Sequence, residues 1–115
     1  MKHLLFIIIL LSLGSCKHLK DDKPANLIPQ QQMIEVLVDI HVADALVEQK
    51  YGAQNPNLPL TNALYTRIYQ NYHITAAQYK TSYHYYEAQP QLMDKMYEQV
   101  ITELSKKEAV IAKSK

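Results

Sequence analysis

Apolar residues fall along this chain in two ways: one unbroken run at residues 4–11, then stretches where they recur every three or four positions. The recurring stretches predict helices. Along 29–51, Met33, Val36, Leu37, Ile40, Val47 and Tyr51 share a face at about 100° per residue. Pro29 is expected at the first helical position, and Gly52 as the stop. After the loop YGAQNPNLPLT, a second helix is expected from about residue 61, burying Leu64, Tyr65, Ile68, Tyr69 and Tyr72. The third begins at Thr75-Ala76-Ala77-Gln78, which fits a capping box: Thr75 caps one backbone N–H and Gln78 reaches back to another. Its stripe is Tyr79, Ser82, Tyr83 and Tyr86. Pro90 opens the fourth, because the residue before a proline tends to leave the helical region. Met93, Met96, Tyr97, Val100, Leu104 and Ile111 form its face, with Glu103 and Lys107 as an i,i+4 pair. Helices two to four are joined by few residues and should turn back sharply on one another. The expectation is an all-α domain over 29–112, a compact bundle of four helices.

The unbroken run needs a different explanation. A helix that crosses a bilayer requires roughly 20 apolar residues, and residues 4–11 fall well short. Behind the basic start Met1-Lys2-His3, they fit the apolar region of a secretory signal, roughly 7–15 residues long. Leu13-Gly14-Ser15-Cys16 follows and resembles the bacterial lipobox: an aliphatic residue, two small residues, then cysteine. The Cys16 thiolate would carry a diacylglyceryl thioether, and cleavage between Ser15 and Cys16 would free an amine for further acylation. Several acyl chains anchor firmly where one does not, at about 0.8 kcal/mol per buried CH₂. Cys16 is the only cysteine, so it has no intramolecular disulfide partner. Residues 1–15 are therefore expected to be a signal peptide and 16–28 a lipidated tether. The twelve residues 17–28 reach about 40 Å stretched, or about 20 Å as a flexible coil. Lys20-Asp21-Asp22 resembles a signal that sends some lipoproteins to the outer face of the outer membrane, although a solvated charge cluster is the plainer reading.

Composition narrows the function. Without residues 1–15 the chain has 100 residues and eleven Lys and Arg against eleven Asp and Glu. A formally neutral chain lacks the basic excess of a nucleic-acid binder, and 100 residues suit one small domain. Glycine occurs only at positions 14 and 52, which nearly excludes phosphate-cradling loops.

Two groups of residues could carry chemistry. Tyr65, Tyr69 and Tyr72 share a helical face, as do Tyr79, Tyr83 and Tyr86, among nine tyrosines and one phenylalanine. They could floor a sugar or peptide site, or bury rings whose hydroxyls find polar partners. In DIHVADALVE, His41, Asp44 and Glu48 stand at i, i+3 and i+7, with Asp39 just before them. A metal site would need further ligands from a facing helix, and His73 and His84 lie off the apolar faces of their own helices. The favoured arrangement is a buried Asp44 paired with His41 and tyrosine hydroxyls, since a buried carboxylate must find donors. No metal, cofactor or catalytic arrangement is expected, and the protein is not read as an enzyme.

Several stretches together resemble domain of unknown function 4296, a family of small Bacteroidota lipoproteins. They are the lipobox, the short tether, Ile28-Pro29, the helix MIEVLVDIHVADA, and the spacing of Tyr65, Tyr69, Tyr72, Gln78-Tyr79, Ser82, Tyr85-Tyr86 and Pro90. The resemblance covers residues 16–104 and is most specific at 39–45 and 79–86. Where that family often has Glu, this chain has the shorter Asp44. The resemblance implies a small helical lipoprotein of the cell envelope, most naturally at the outer membrane on its periplasmic face or at the cell surface. It implies no activity. The expected role is a non-enzymatic tethered module that docks on an envelope protein, with the membrane as its other partner through Cys16. The alternative is a binding protein for a glycan or peptide fragment, using the tyrosine faces with His41 and Asp44.

Overall fold

The computed structural model describes residues 23–54 and 57–114. Four helices follow in order: α1 (Gln30–Tyr51), α2 (Leu58–Asn71), α3 (Ala76–Glu87) and α4 (Pro90–Lys113), and no strand occurs among the described residues. This is the all-α bundle the periodicity predicts. The lipobox, Ser15, Cys16 and Lys20-Asp21-Asp22 lie outside the described residues.

The helix ends show which local signals were read correctly. Pro29 stands just before α1 rather than in its first turn, at φ −55° and ψ 145°. Gly52 stops α1 at φ 84° and donates its N–H to the Glu48 carbonyl, a left-handed conformation that glycine adopts without a Cβ clash. α2 begins at Leu58, earlier than expected. Asn57 Oδ1 accepts the Leu60 N–H at 3.0 Å, and Pro59 fits within the first turn, where its missing donor costs nothing. Thr75 caps α3 as predicted, accepting the Gln78 N–H at 3.0 Å. The reciprocal half differs: the Gln78 side-chain amide donates to the Asn26 carbonyl at 2.8 Å.

The turn between α2 and α3 carries a signal that composition concealed. His73 adopts φ 54°, the Ile74 N–H donates to the Tyr69 carbonyl, and the His73 N–H to the Gln70 carbonyl. This is a Schellman motif with histidine in the place usually taken by glycine. Ile74 packs back against the cluster containing Ile68 and Tyr69, which fixes the turn.

α1 is the centre of the packing. It lies against α2 and α4, while α3 touches α2 and α4 and keeps its Cα atoms more than 8 Å from those of α1. Flanked in this way, α1 buries Met33, Ile34, Val36, Leu37, Val38, Ile40, Ala43 and Val47, more than one stripe. A helix that is apolar nearly all round is a buried one. α2 runs antiparallel to α1, since Asp44 meets Tyr65 and Asp39 meets Tyr72. α4 runs the same way as α1. Their early residues, Met33 and Leu37 with Met96 and Val100, share one core cluster, and their late residues share one groove.

α3 makes the parallel pairing possible. Its two ends both reach the segment ahead of α1: Gln78 bonds Asn26, and Ser82 and Tyr86 bond Ile28. α3 thus spans beneath the start of α1 and returns the chain to the level from which α4 rises. The same contacts draw residues ahead of Pro29 into the helical domain. Ile28 is fully buried, its N–H donating to Ser82 Oγ at 3.0 Å and its carbonyl accepting the Tyr86 hydroxyl at 2.6 Å. Residues 26–28 belong to the domain, because a buried strap needs its main-chain groups satisfied and α3 supplies the partners.

Two further expectations change. Of the α2 face only Ile68 is buried; Leu64, Tyr65, Tyr69 and Tyr72 are half-buried. Ile111 is 60% exposed, so the buried face of α4 ends near Leu104.

Candidate functional site

Asp39 and Asp44 of α1 reach toward α2, whose tyrosines offer them hydroxyls. Tyr65 donates its hydroxyl to Asp44 Oδ1 at 2.6 Å, and Tyr72 donates to Asp39 Oδ2 at 2.8 Å. Asp39 Oδ1 also takes Lys107 Nζ at 3.0 Å, which ties α4 to the same carboxylate. Lys107 is therefore bonded across the bundle, while Glu103 pairs with Lys106 at 2.7 Å instead. Asp44 is exposed, contrary to the expected buried network. Position 44 lies on the flank where α2 has only half-buried Tyr65 to place over it, so water reaches the carboxylate.

His41 does not join Asp44. Its ring is half-buried and meets Tyr97 edge-on, with centroids 5.8 Å apart. From Tyr97 the aromatics continue through the bundle. Tyr97 shares a hydrogen bond with Tyr83, Tyr83 lies 6.0 Å from Tyr79, Tyr79 lies 5.4 Å from Tyr69, and Tyr69 lies 6.3 Å from Tyr65. The backbones of α1 and α3 stay apart, and tyrosine side chains of α3 pack across that space onto the core that α1 shares. Burial raises the phenol pKa of Tyr97, Tyr79, Tyr69 and Tyr65. It pushes Tyr97 up to about 12, with help from the Tyr83 hydrogen bond. It also raises Tyr79, and Tyr65, where the hydrogen bond to Asp44 adds to the effect. Tyr86 is buried and spends its hydroxyl on the Ile28 carbonyl.

The eight candidates therefore separate. Asp39 and Asp44 clasp tyrosines, Tyr69 and Tyr83 stack in the aromatic series with Tyr65 at its end, and Tyr86 secures the strap. His73 occupies the α2–α3 turn, and His84 is exposed, 3.4 Å from Glu87. Among the described residues no three His, Cys, Asp or Glu side chains gather as a metal site would require.

His41, Asp44 and Glu48 do border one feature that sequence reasoning missed. The C-terminal halves of α1 and α4 leave an open groove of about 550 Å³ between them. Val42, Ala45 and Leu46 form one wall, Leu104 and Ile111 the other, and no tyrosine lines it. Leu46 is 54% exposed and Ile111 60%. The available signal was negative: α1 has Ala45, Glu48 and Gln49 facing the groove, where its first half has Met33, Leu37 and Val38 in the core. Small and polar side chains cannot fill the space between two helices.

The family model described as a domain of unknown function (DUF4296) matches residues 24–110. It starts close to the strap that the structure fastens onto α3. No curated protein and no solved structure matches the chain.

Proposed function

The chain belongs to the DUF4296 family, and on that premise we propose that it is a lipid-anchored, non-enzymatic interaction module of the cell envelope. Cys16 carries the anchor, and the helical domain docks a protein partner through the groove between α1 and α4. The observation that carries this reading is the groove: aliphatic, open, and flanked by Leu46 and Ile111 that no other part of the described chain covers. Exposed apolar patches rimmed by polar residues mark interaction sites. Its position suits a tethered protein. The groove begins about 18 Å along α1 from Gln30, at 1.5 Å per residue, so a membrane holding the N-terminal end leaves it facing outward. No helix among the described residues is long and apolar enough to cross a membrane. The lipobox supplies the attachment, most naturally to the outer membrane on its periplasmic face or at the cell surface. Binding of a glycan or peptide fragment would draw on the tyrosine faces, but those rings lie against one another and outside the groove.

Two measurements test the reading. Cells fed a fatty-acid analogue should label the wild-type chain and not Cys16→Ser; equal labelling would remove the anchor. A photo-crosslinking residue at Leu46 should capture a discrete protein species in intact envelopes. Capture of nothing would remove the docking role.

A further inference from the structure

The end of α4 is an amphipathic helix that, apart from the Lys107 bond to Asp39, no other described residue covers. Residues 105–114 are exposed throughout, yet they stay helical to Lys113 and carry Val110 at 68% and Ile111 at 60% exposure. Helical turns gain most of their stability from a packed apolar face. A second shallow depression of about 330 Å³ is formed by α4 residues alone, Lys106, Lys107, Val110 and Ile111. α4 thus presents an apolar strip edged by lysines. The facing wall of α1 is the complement, with Leu46 set between Asp44 and Glu48.

These two strips stand at the same height, because α1 and α4 run in the same direction and their late residues share one groove. A two-fold axis along the helices therefore brings the α4 strip of one copy opposite the α1 wall of another. Apolar side chains meet apolar side chains and Lys106 meets Glu48, twice over, as an isologous contact requires. We propose that the groove is filled by the last turns of α4 from a second copy of this chain, forming a symmetric dimer. This rests on the interaction-module reading and names its partner. Lys106 is held only by Glu103 at the surface, an exposed i,i+3 pair of little energetic weight, so it can turn to Glu48 of the other copy. Asp44 keeps its tyrosine. The symmetry also keeps both N-terminal ends on one side, where two lipid anchors enter a single membrane.

The test uses the full-length chain in cells, expressed as two differently tagged copies, with the photo-crosslinker at Leu46. A crosslinked species containing both tags is expected. Glu48→Lys and Lys106→Glu should each lower its yield about fivefold, since every substitution counts twice in a symmetric interface. The double variant Glu48→Lys/Lys106→Glu should restore most of it. Rescue by the exchanged pair separates a broken interface from a misfolded chain. Absence of any doubly tagged species, or loss without rescue, overturns the second copy as occupant. If Leu46 then captures a different envelope protein, the docking role survives with another partner. If it captures nothing, the docking role falls too.

Discussion

Where α1 begins, the bundle is closed and its polar groups are matched; where α1 and α4 end, it is open and its apolar groups are not. At the closed end, Ile28, Met33, Ile34, Leu37, Met96 and Val100 are essentially inaccessible to water, and Ser82, the one buried polar side chain among the described residues, bonds the strap. At the open end, Leu46, Val110 and Ile111 are more than half exposed on helices just as regular. Both ends come from the same two helices running side by side. They differ in what stands between those helices: Met, Leu and Val at one end, Ala, Glu and Gln at the other. Stability resides at the first end. The capacity to bind is left at the second.

Deletion in the core tests that division most severely. Met96→Ala should cost about 2–5 kcal/mol, the range for truncating a large buried side chain. Ile111→Ala, a comparable loss of atoms, should stay within about 0.5 kcal/mol. Urea denaturation of both variants checks this, and similar costs would erase the contrast. The strap comes next. Tyr86→Phe removes the donor to the buried Ile28 carbonyl, and Ser82→Ala removes the acceptor for its N–H. Each should cost about 1–3 kcal/mol, as expected when a buried partner is left unsatisfied. Unchanged denaturation midpoints would mean that residues 26–28 are not fastened.

Alkaline pH probes the aromatic series between the two ends. The folded phenols of Tyr97, Tyr79 and Tyr65 have pKa values raised above the ordinary 10.0, Tyr97 to about 12, chiefly by burial. The folded state then holds protons that the unfolded state gives up. The stabilisation is complete below pH 10 and is lost as pH climbs from 10 through 12. Denaturation midpoints should therefore fall over that interval, and Tyr97→Phe should make the fall shallower. A midpoint flat to pH 12 would contradict the buried placement of the rings. The smallest effect belongs to Asp44. Because it is exposed, Asp44→Ala should cost below about 1 kcal/mol despite the 2.6 Å bond. Asp44→Asn keeps an acceptor for Tyr65 and should cost less. A cost near that of Tyr86→Phe would show that the site is drier than its exposure indicates.

The order of these effects follows how much of each site could be read from neighbouring residues. Ser82 and Tyr86 fell on a helical stripe, so their burial was legible, but their partner at Ile28 was not. That contact spans more than fifty residues of chain. Asp44 was placed on a face by its spacing, yet the spacing could not say whether α2 would cover that face. Lys107 looked bound to Glu103 one turn away, until α1 brought Asp39 within 3.0 Å. The groove was the least legible, because a gap has no residues of its own.

What the sequence determined by itself is local. Apolar residues every three or four positions, Thr75 as a cap, Gly52 as a stop and Pro90 as a start produce four helices, because those signals act within a turn or two of backbone. The resemblance to a lipobox is equally local, resting on four consecutive residues outside the described part of the chain. Only the tertiary structure decided the rest: that α3 passes beneath the strap, that α4 consequently rises parallel to α1, and that a groove is left between their last halves. Helix direction depends on how a turn closes and on which side chains compete for the same space. Those competitors lie tens of residues apart, and periodicity in one helix carries no information about the helix beside it.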